Sequence, residues 1–185
     1  MNEIALHLLD IVQNSVRAQA GLVSIRLILH ENGVLEVTVE DDGRGMSPEL
    51  LSGVTNPFVT TRTTRRVGLG IPLLQQNCEA SGGSLSIVSR EGEGTAITAR
   101  FHTDSIDCLP LGDIPRTMAT LILGSPDRPD FALHCASSRG ALDFSTREMR
   151  EALGPEVSLA EPEVISWITQ SLGEEIEPIF GGIIR

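Results

Sequence analysis

The feature that most constrains this chain is the run Val34-Leu35-Glu36-Val37-Thr38-Val39-Glu40-Asp41-Asp42-Gly43-Arg44-Gly45-Met46. Leu35, Val37 and Val39 alternate with Glu36, Thr38 and Glu40, the period of a strand with one buried and one wet face. Asp41 continues the alternation on the buried side, and Asp42 falls on the solvent side. A carboxylate on the core side needs a donor, because burying it unpaired is costly. The glycines that follow let the backbone turn sharply and let a flat ligand come close. Alone, an acidic glycine-containing turn after a strand is most often just a turn. A ligand at Asp41 needs support from the rest of the chain.

Residues 22–30 form the strand before this one, and Glu31-Asn32-Gly33 joins the two as a tight hairpin turn. Ahead of the hairpin, residues 3–20 predict an amphipathic helix, with Ile4, Leu8, Ile11, Val12 and Ser15 at helical spacing. Asn2 is placed to cap its start and Gly21 to end it. Asp10 and Asn14 are four apart and project from one face, with Arg17 nearby. Such a pair beside an apolar stripe is commonly a solvated face. The sharper reading turns both into a site, where Asn14 Oδ1 is a hard oxygen ligand for Mg2+ and Asp10 orients or deprotonates a water.

After the opening run, Ser47-Pro48-Glu49 starts a short helix that ends near Gly53. A polar, arginine-rich stretch, 56–66, leads into Val67-Gly68-Leu69-Gly70-Ile71-Pro72. A Gly-x-Gly opening a helix exposes unpaired N–H groups and the positive end of the dipole, a ready anion site. That helix runs to about Ala80 and stops at Ser81-Gly82-Gly83. Residues 84–89 and 95–102 predict a second hairpin, with Thr95 opening its last strand. The Thr95 hydroxyl is a common strand starter, or a group that helps hold Asp41 or a water.

Residues 3–102 resemble the GHKL ATPase superfamily, the Bergerat-fold ATP-binding domains of gyrase B, Hsp90, histidine kinases and MutL. Leu9-Asp10-Ile11-Val12-Gln13-Asn14-Ser15-Val16-Arg17-Ala18 looks like the N box, and Asp41-Asp42-Gly43-Arg44-Gly45-Met46 like the G1 box. Pro57-Phe58-Val59-Thr60-Thr61-Arg62 followed by Gly68-Leu69-Gly70-Ile71 looks like the F and G2 boxes, nearest to histidine kinases. Gly82-Gly83 and Gly92-Glu93-Gly94-Thr95 look like the closing hairpin. The resemblance implies an α+β fold: a two-layer α/β sandwich whose mixed sheet carries helices on one face, plus a small C-terminal α+β extension.

Carried onto this sequence, the resemblance implies that Asp41 accepts from the adenine N6 amine, with Thr95 supporting it through water. Gly43 and Gly45 shape the base pocket and Met46 forms its apolar wall. Asn14 binds Mg2+, and the N–H groups of Gly68, Leu69 and Gly70 meet phosphate. Residues 55–67 form an ATP lid on which Thr60, Thr61 and Arg62 are candidate nucleotide contacts, and Arg62, Arg65 or Arg66 meets the γ-phosphate. Asp10 stands where hydrolysing members often carry Glu, one methylene shorter, and is the candidate water-orienting base. Histidine kinases also place a phosphoacceptor helix hairpin ahead of this domain, whereas here the N box begins almost at Met1, and His7, within the N-box helix, is not a credible acceptor. The expectation is a stand-alone regulatory kinase or slow ATPase acting on a protein partner, by analogy with anti-sigma-type serine kinases. A nucleotide-sensing module without turnover is the alternative.

Charge narrows the partners. Of 25 acidic and 14 basic side chains, residues 1–102 carry 11 and 8, and residues 103–185 carry 14 and 6. A net charge of −11 disfavours duplex DNA, and with it a DNA-linked ATPase. Every basic residue is arginine, so phosphate must be met by arginine, Mg2+ or backbone N–H groups. No apolar run approaches the roughly 18 residues of a membrane span. Cys78, Cys108 and Cys135 are widely spaced, as in a protein of the reducing cytoplasm. Nucleic acid and membrane are therefore not expected as partners, and a homodimer is compatible.

The expected units are an ATP-binding domain over 1–103, a linker over 104–115 and an acidic extension over 116–185. Within the extension the pattern predicts a helix over 116–123, a hairpin over 130–136 and 141–145, a helix capped by Ser145, another helix over 161–172, and a frayed last dozen residues. Its role is packing against the sheet, or a partner or dimer surface with Trp167 as first anchor.

Overall fold

The computed structural model describes residues 2–54 and 70–181. The elements are α1 (Ile4–Arg17), β1 (Leu22–Leu29), β2 (Val34–Asp41), α2 (Pro48–Val54), α3 (Gly70–Ala80), β3 (Ser84–Arg90), β4 (Gly94–His102), α4 (Ile114–Gly124), β5 (Asp130–Ser137), β6 (Gly140–Ser145), α5 (Thr146–Leu153) and α6 (Pro162–Phe180). All six strands form one mixed sheet in the order β3-β4-β2-β1-β5-β6. Only β1 and β5 pair in parallel; the other neighbours are antiparallel. The fold is α+β, as expected.

Alternation decides which face is covered. Leu35, Val37 and Val39 of β2, Val23, Ile25 and Leu27 of β1, and Phe131, Leu133 and Cys135 of β5 are buried. Against this face lie Ile4, Leu8, Ile11 and Val12 of α1, Met118 and Ile122 of α4, and Ile168 and Leu172 of α6. The opposite face carries cross-strand polar pairs: Arg100 with Glu36, Arg26 with Glu40, His134 with Asp143, and Thr38 with Thr98. One dry face and one wet face make a two-layer sandwich.

Helix ends differ from the sequence reading where tertiary contacts replace local caps. The cap position of α1 is Glu3, with no side-chain cap, rather than Asn2. The orphan N–H groups of Ile4 and Ala5 donate instead to the carbonyls of Pro110 and Leu111, at 3.0 and 2.9 Å. The other end closes on Gln19, at φ 61°, rather than on Gly21. Ala20 N–H donates to Ser15 O and Gln19 N–H to Val16 O, the two bonds of a Schellman motif. At the far end of the chain, α6 continues through Pro178 to Phe180. The expected fraying is absent up to that point because Ile176, Ile179 and Phe180 are buried in the core.

The C-terminal elements share the sheet and core of the rest. Besides the β1–β5 pairing, Asp130 N–H donates to Gly21 O. Leu111 and Ile114, at the end of the expected linker, are fully buried. Among the described residues, no helix is long and apolar enough to cross a membrane.

His7 of α1 is 1% exposed. Its Nε2 meets Asn77 Nδ2 of α3 at 2.8 Å, and its Nδ1 has no partner. Burial pushes the imidazole below its usual 6.5. The folded state therefore favours neutral His7, and its contribution is fully present above about pH 6.5 and declines as pH falls towards the lower folded value. Urea midpoints compared at pH 8 and pH 5.5 should show this loss, and His7→Gln should remove it from that window.

Candidate functional site

The site is built where the C-terminal end of β2 meets the last turn of α1. Asp41 ends β2 and is 8% exposed. Ser15 Oγ donates to its Oδ2 at 2.6 Å, and Gly43 N–H donates to its Oδ1 at 2.9 Å. No cation pairs with it among the described residues. A carboxylate offers about four lone-pair positions, so two donors leave it able to accept another N–H.

Asp42 faces solvent, as the alternation requires, and holds the chain rather than a ligand. Its Oδ1 accepts from Gly21 N–H at 2.6 Å and Leu22 N–H at 2.9 Å. These N–H groups, Leu22 foremost, keep the Asp42 carboxyl below its ordinary value.

Close backbone approach explains the glycines. A Cβ on Gly43 would stand 2.9 Å from both Asp41 Oδ1 and Ala18 O. Gly45 adopts φ +64° and its Cα lies against the carbonyl of Arg90. The loop is further fastened by Arg44 N–H to Ala18 O at 3.0 Å and Gly92 N–H to Arg44 O at 2.7 Å.

Thr95 lies opposite Asp41 in the β2–β4 register. Its hydroxyl meets Ser89 Oγ at 2.8 Å. Ser89 also accepts from Met46 N–H and donates to Gly94 O, both at 2.9 Å. Ser89 thus ties the loop carrying Met46 to the closing hairpin. With its single proton given to Gly94, the Ser89–Thr95 bond takes its proton from Thr95. Ser89→Ala should cost about 1–2 kcal/mol of stability by stranding Met46 N–H, measured by urea unfolding.

Of the α1 residues, Asn14 is half-buried and its Oδ1 accepts from Arg17 Nη1 at 3.2 Å. Asp10 is half-buried, and its carboxylate packs where a Gly70 Cβ would stand, at the start of α3. Ser15 and Gly43 thus meet at Asp41, Asp10 meets the start of α3 at Gly70, and Asn14 lies between Asp10 and Ser15 in the α1 sequence. Thr60, Thr61, Arg62, Arg65, Arg66, Gly68 and Leu69 lie outside the described residues.

Two contacts of the candidate site have little or no local signal in the sequence, those of Ser15 and Ser89. Ser15 was legible only as part of the apolar stripe; a hydroxyl in that stripe, directly after Asn14, was its signal. Ser89 carried no local signal, because its partners are 43 and 6 residues away in sequence.

Residues 2–105 match the family model for histidine kinase-, DNA gyrase B- and HSP90-like ATPases. The chain belongs to this family. An uncharacterised sensor-like histidine kinase of Rhizobium meliloti is 34% identical over 105 residues, covering 53% of this chain and 20% of that protein. The sensor histidine kinase ZraS of Salmonella typhimurium is 31% identical over 93 residues, covering 49% and 20%. The chain thus spans about a fifth of the length of the curated relatives it matches. The histidine kinase domain of the E. coli osmosensor EnvZ, solved by NMR, is 28% identical with a TM-score of 0.38, covering 50% of this chain and 59% of that one.

Proposed function

We propose that this histidine kinase-like domain binds ATP with Mg2+ at Asp41 and uses it to phosphorylate, or to drive slow turnover on, a protein partner. The observation that carries the reading is the nearly buried Asp41 carboxylate, held by two donors and facing no cation among the described residues. An exocyclic amine supplies the donor such a carboxylate accepts. Met46 supplies apolar surface at the same end, being partly buried against the core. The start of α3 at Gly70 supplies N–H groups and the positive dipole end for phosphate.

Magnesium fits the donor chemistry of Asn14, an amide oxygen on the same helix as Asp10 and Ser15. Mg2+ is commonly held by one or two protein oxygens together with substrate phosphates and water. Arg17, exposed on the helix surface, occupies one of the two lone pairs of Asn14 Oδ1 and leaves the other for an ion. The ion would neutralise charge on the phosphates. Asp10 is then the residue to orient an attacking water or hydroxyl. Its carboxylate at the start of α3 equally favours the positive dipole end there, so binding and turnover must be measured separately.

Asp10→Asn is expected to cut turnover about a hundredfold with nucleotide affinity retained; unchanged turnover would remove the base role. Incubation with ATP labelled at the γ-phosphate separates the outcomes. Label on a protein identifies a kinase, and released phosphate alone identifies an ATPase. Neither identifies the nucleotide-sensing alternative.

A cytoplasmic setting without nucleic acid or membrane partners belongs to the same reading. The net charge of −11 supports it, as do the free, buried thiols of Cys78 and Cys135, which burial pushes up to about 12. The units expected over 1–103, 104–115 and 116–185 enter this reading as a nucleotide-binding part, its connection, and a part that meets the partner.

A further inference from the structure

A groove of about 310 Å³ lies between β6, α5 and α6. Phe144 forms part of its floor, Met149 one wall, and Trp167 and Leu172 the other. Trp167 is 58% exposed beside this apolar surface. A large aromatic left open at the edge of a hydrophobic groove is surface that association would cover. Every lining residue lies beyond residue 105, where the family match stops, so the groove lies outside the family-matched segment.

Charge identifies the kind of occupant. Glu148 and Glu175 line the groove, and neither joins an ion pair among the described residues. Among the described residues, no cationic side chain lines it. The nearby arginines of α5, Arg147 and Arg150, are both committed to Asp130. The groove is therefore apolar at its floor and negative at its rim, and it selects a positive partner. A second copy of the chain is a poor occupant, because residues 103–185 carry 14 acidic side chains against 6 basic ones. Along α6, Trp167 to Glu175 spans about 12 Å at 1.5 Å per residue, roughly two turns of an incoming helix. We propose that this groove docks a basic amphipathic helix of a partner protein. Its apolar residues at helical spacing would cover Trp167 and Leu172, and its Lys or Arg side chains would meet Glu148 and Glu175.

Trp167 is the only tryptophan of the chain, so its emission reports on this groove alone. The full chain should be titrated with a synthetic Leu/Lys peptide of about 14 residues, patterned as an amphipathic helix of roughly four turns. The control is the same pattern with Glu in place of Lys. The expected result is a saturable blue shift with the basic peptide, gain of helical circular dichroism on binding, and weakening by salt. In the Glu148→Lys/Glu175→Lys double variant, affinity should fall roughly tenfold. Both side chains are exposed, so the variant should keep the circular dichroism of the parent. The proposal is overturned by no saturable shift, by equal binding of the acidic peptide, by unchanged affinity in the double variant, or by a bound peptide that stays non-helical. It is also overturned if light scattering shows a dimer that removes Trp167 from solvent without any peptide.

Discussion

Asp41→Asn should lower ATP affinity about a hundredfold, the loss of one charge-assisted hydrogen bond at a nearly buried carboxylate. The substitution keeps size and shape and changes only what the two oxygen positions offer. Gly43 N–H requires an acceptor at one of them, so the asparagine oxygen must take that place. The new NH2 then points at Ser15, whose hydroxyl can rotate to accept it. The local fold survives, and the pocket loses the negative charge an exocyclic amine would meet. Isothermal titration calorimetry with ATP and Mg2+ is the measurement. Unchanged affinity would overturn the nucleotide reading at this carboxylate, and unchanged urea stability is the check that only the site has been altered.

The second large effect falls on the backbone. Gly45→Ala should cost about 3 kcal/mol of stability, because it combines a left-handed φ with a collision. The residue sits at φ +64°, and an added Cβ would run into the Arg90 carbonyl and stand 3.0 Å from Gly94 O. Both are backbone atoms at the β3–β4 turn, which cannot swing aside as a side chain would. Gly92→Ala is the matched control. It has φ +78° but open space around it, so it should cost only about 1 kcal/mol. Urea unfolding of the two variants separates collision from conformational preference. Equal costs would mean that the loop carrying Met46 does not rest on the closing hairpin.

Periodicity made most of the fold legible. The two hairpins, the α1 stripe and the Ser145 start of α5 all have local causes, and local causes can be read from a linear sequence. Asp41 was legible for the same reason: alternation places it on the buried side, and no other side chain in β2 poses that problem. What failed to show was whatever depends on residues far apart. The start of α1 is capped by carbonyls more than a hundred positions away, so a search for a local cap finds Asn2 and misses the cause. The length of α6 follows from burial of Ile176, Ile179 and Phe180, which the acidic run before them conceals. Ser89 became visible only when the register of β3 on β4 set it beside Thr95 and the incoming Met46 N–H.

The bonds from Ile4 and Ala5 to Pro110 and Leu111 have a consequence for how the molecule comes apart. The helix that carries Asp10, Asn14 and Ser15 begins on carbonyls from the second half of the chain, and β1 fills its open edge with β5. A cut after residue 105 would fray the first turn of that helix and bare a row of strand hydrogen-bonding groups beside it. The edge of the family resemblance is therefore not a seam in the protein, and a single unfolding transition shared by its two halves is the expected result.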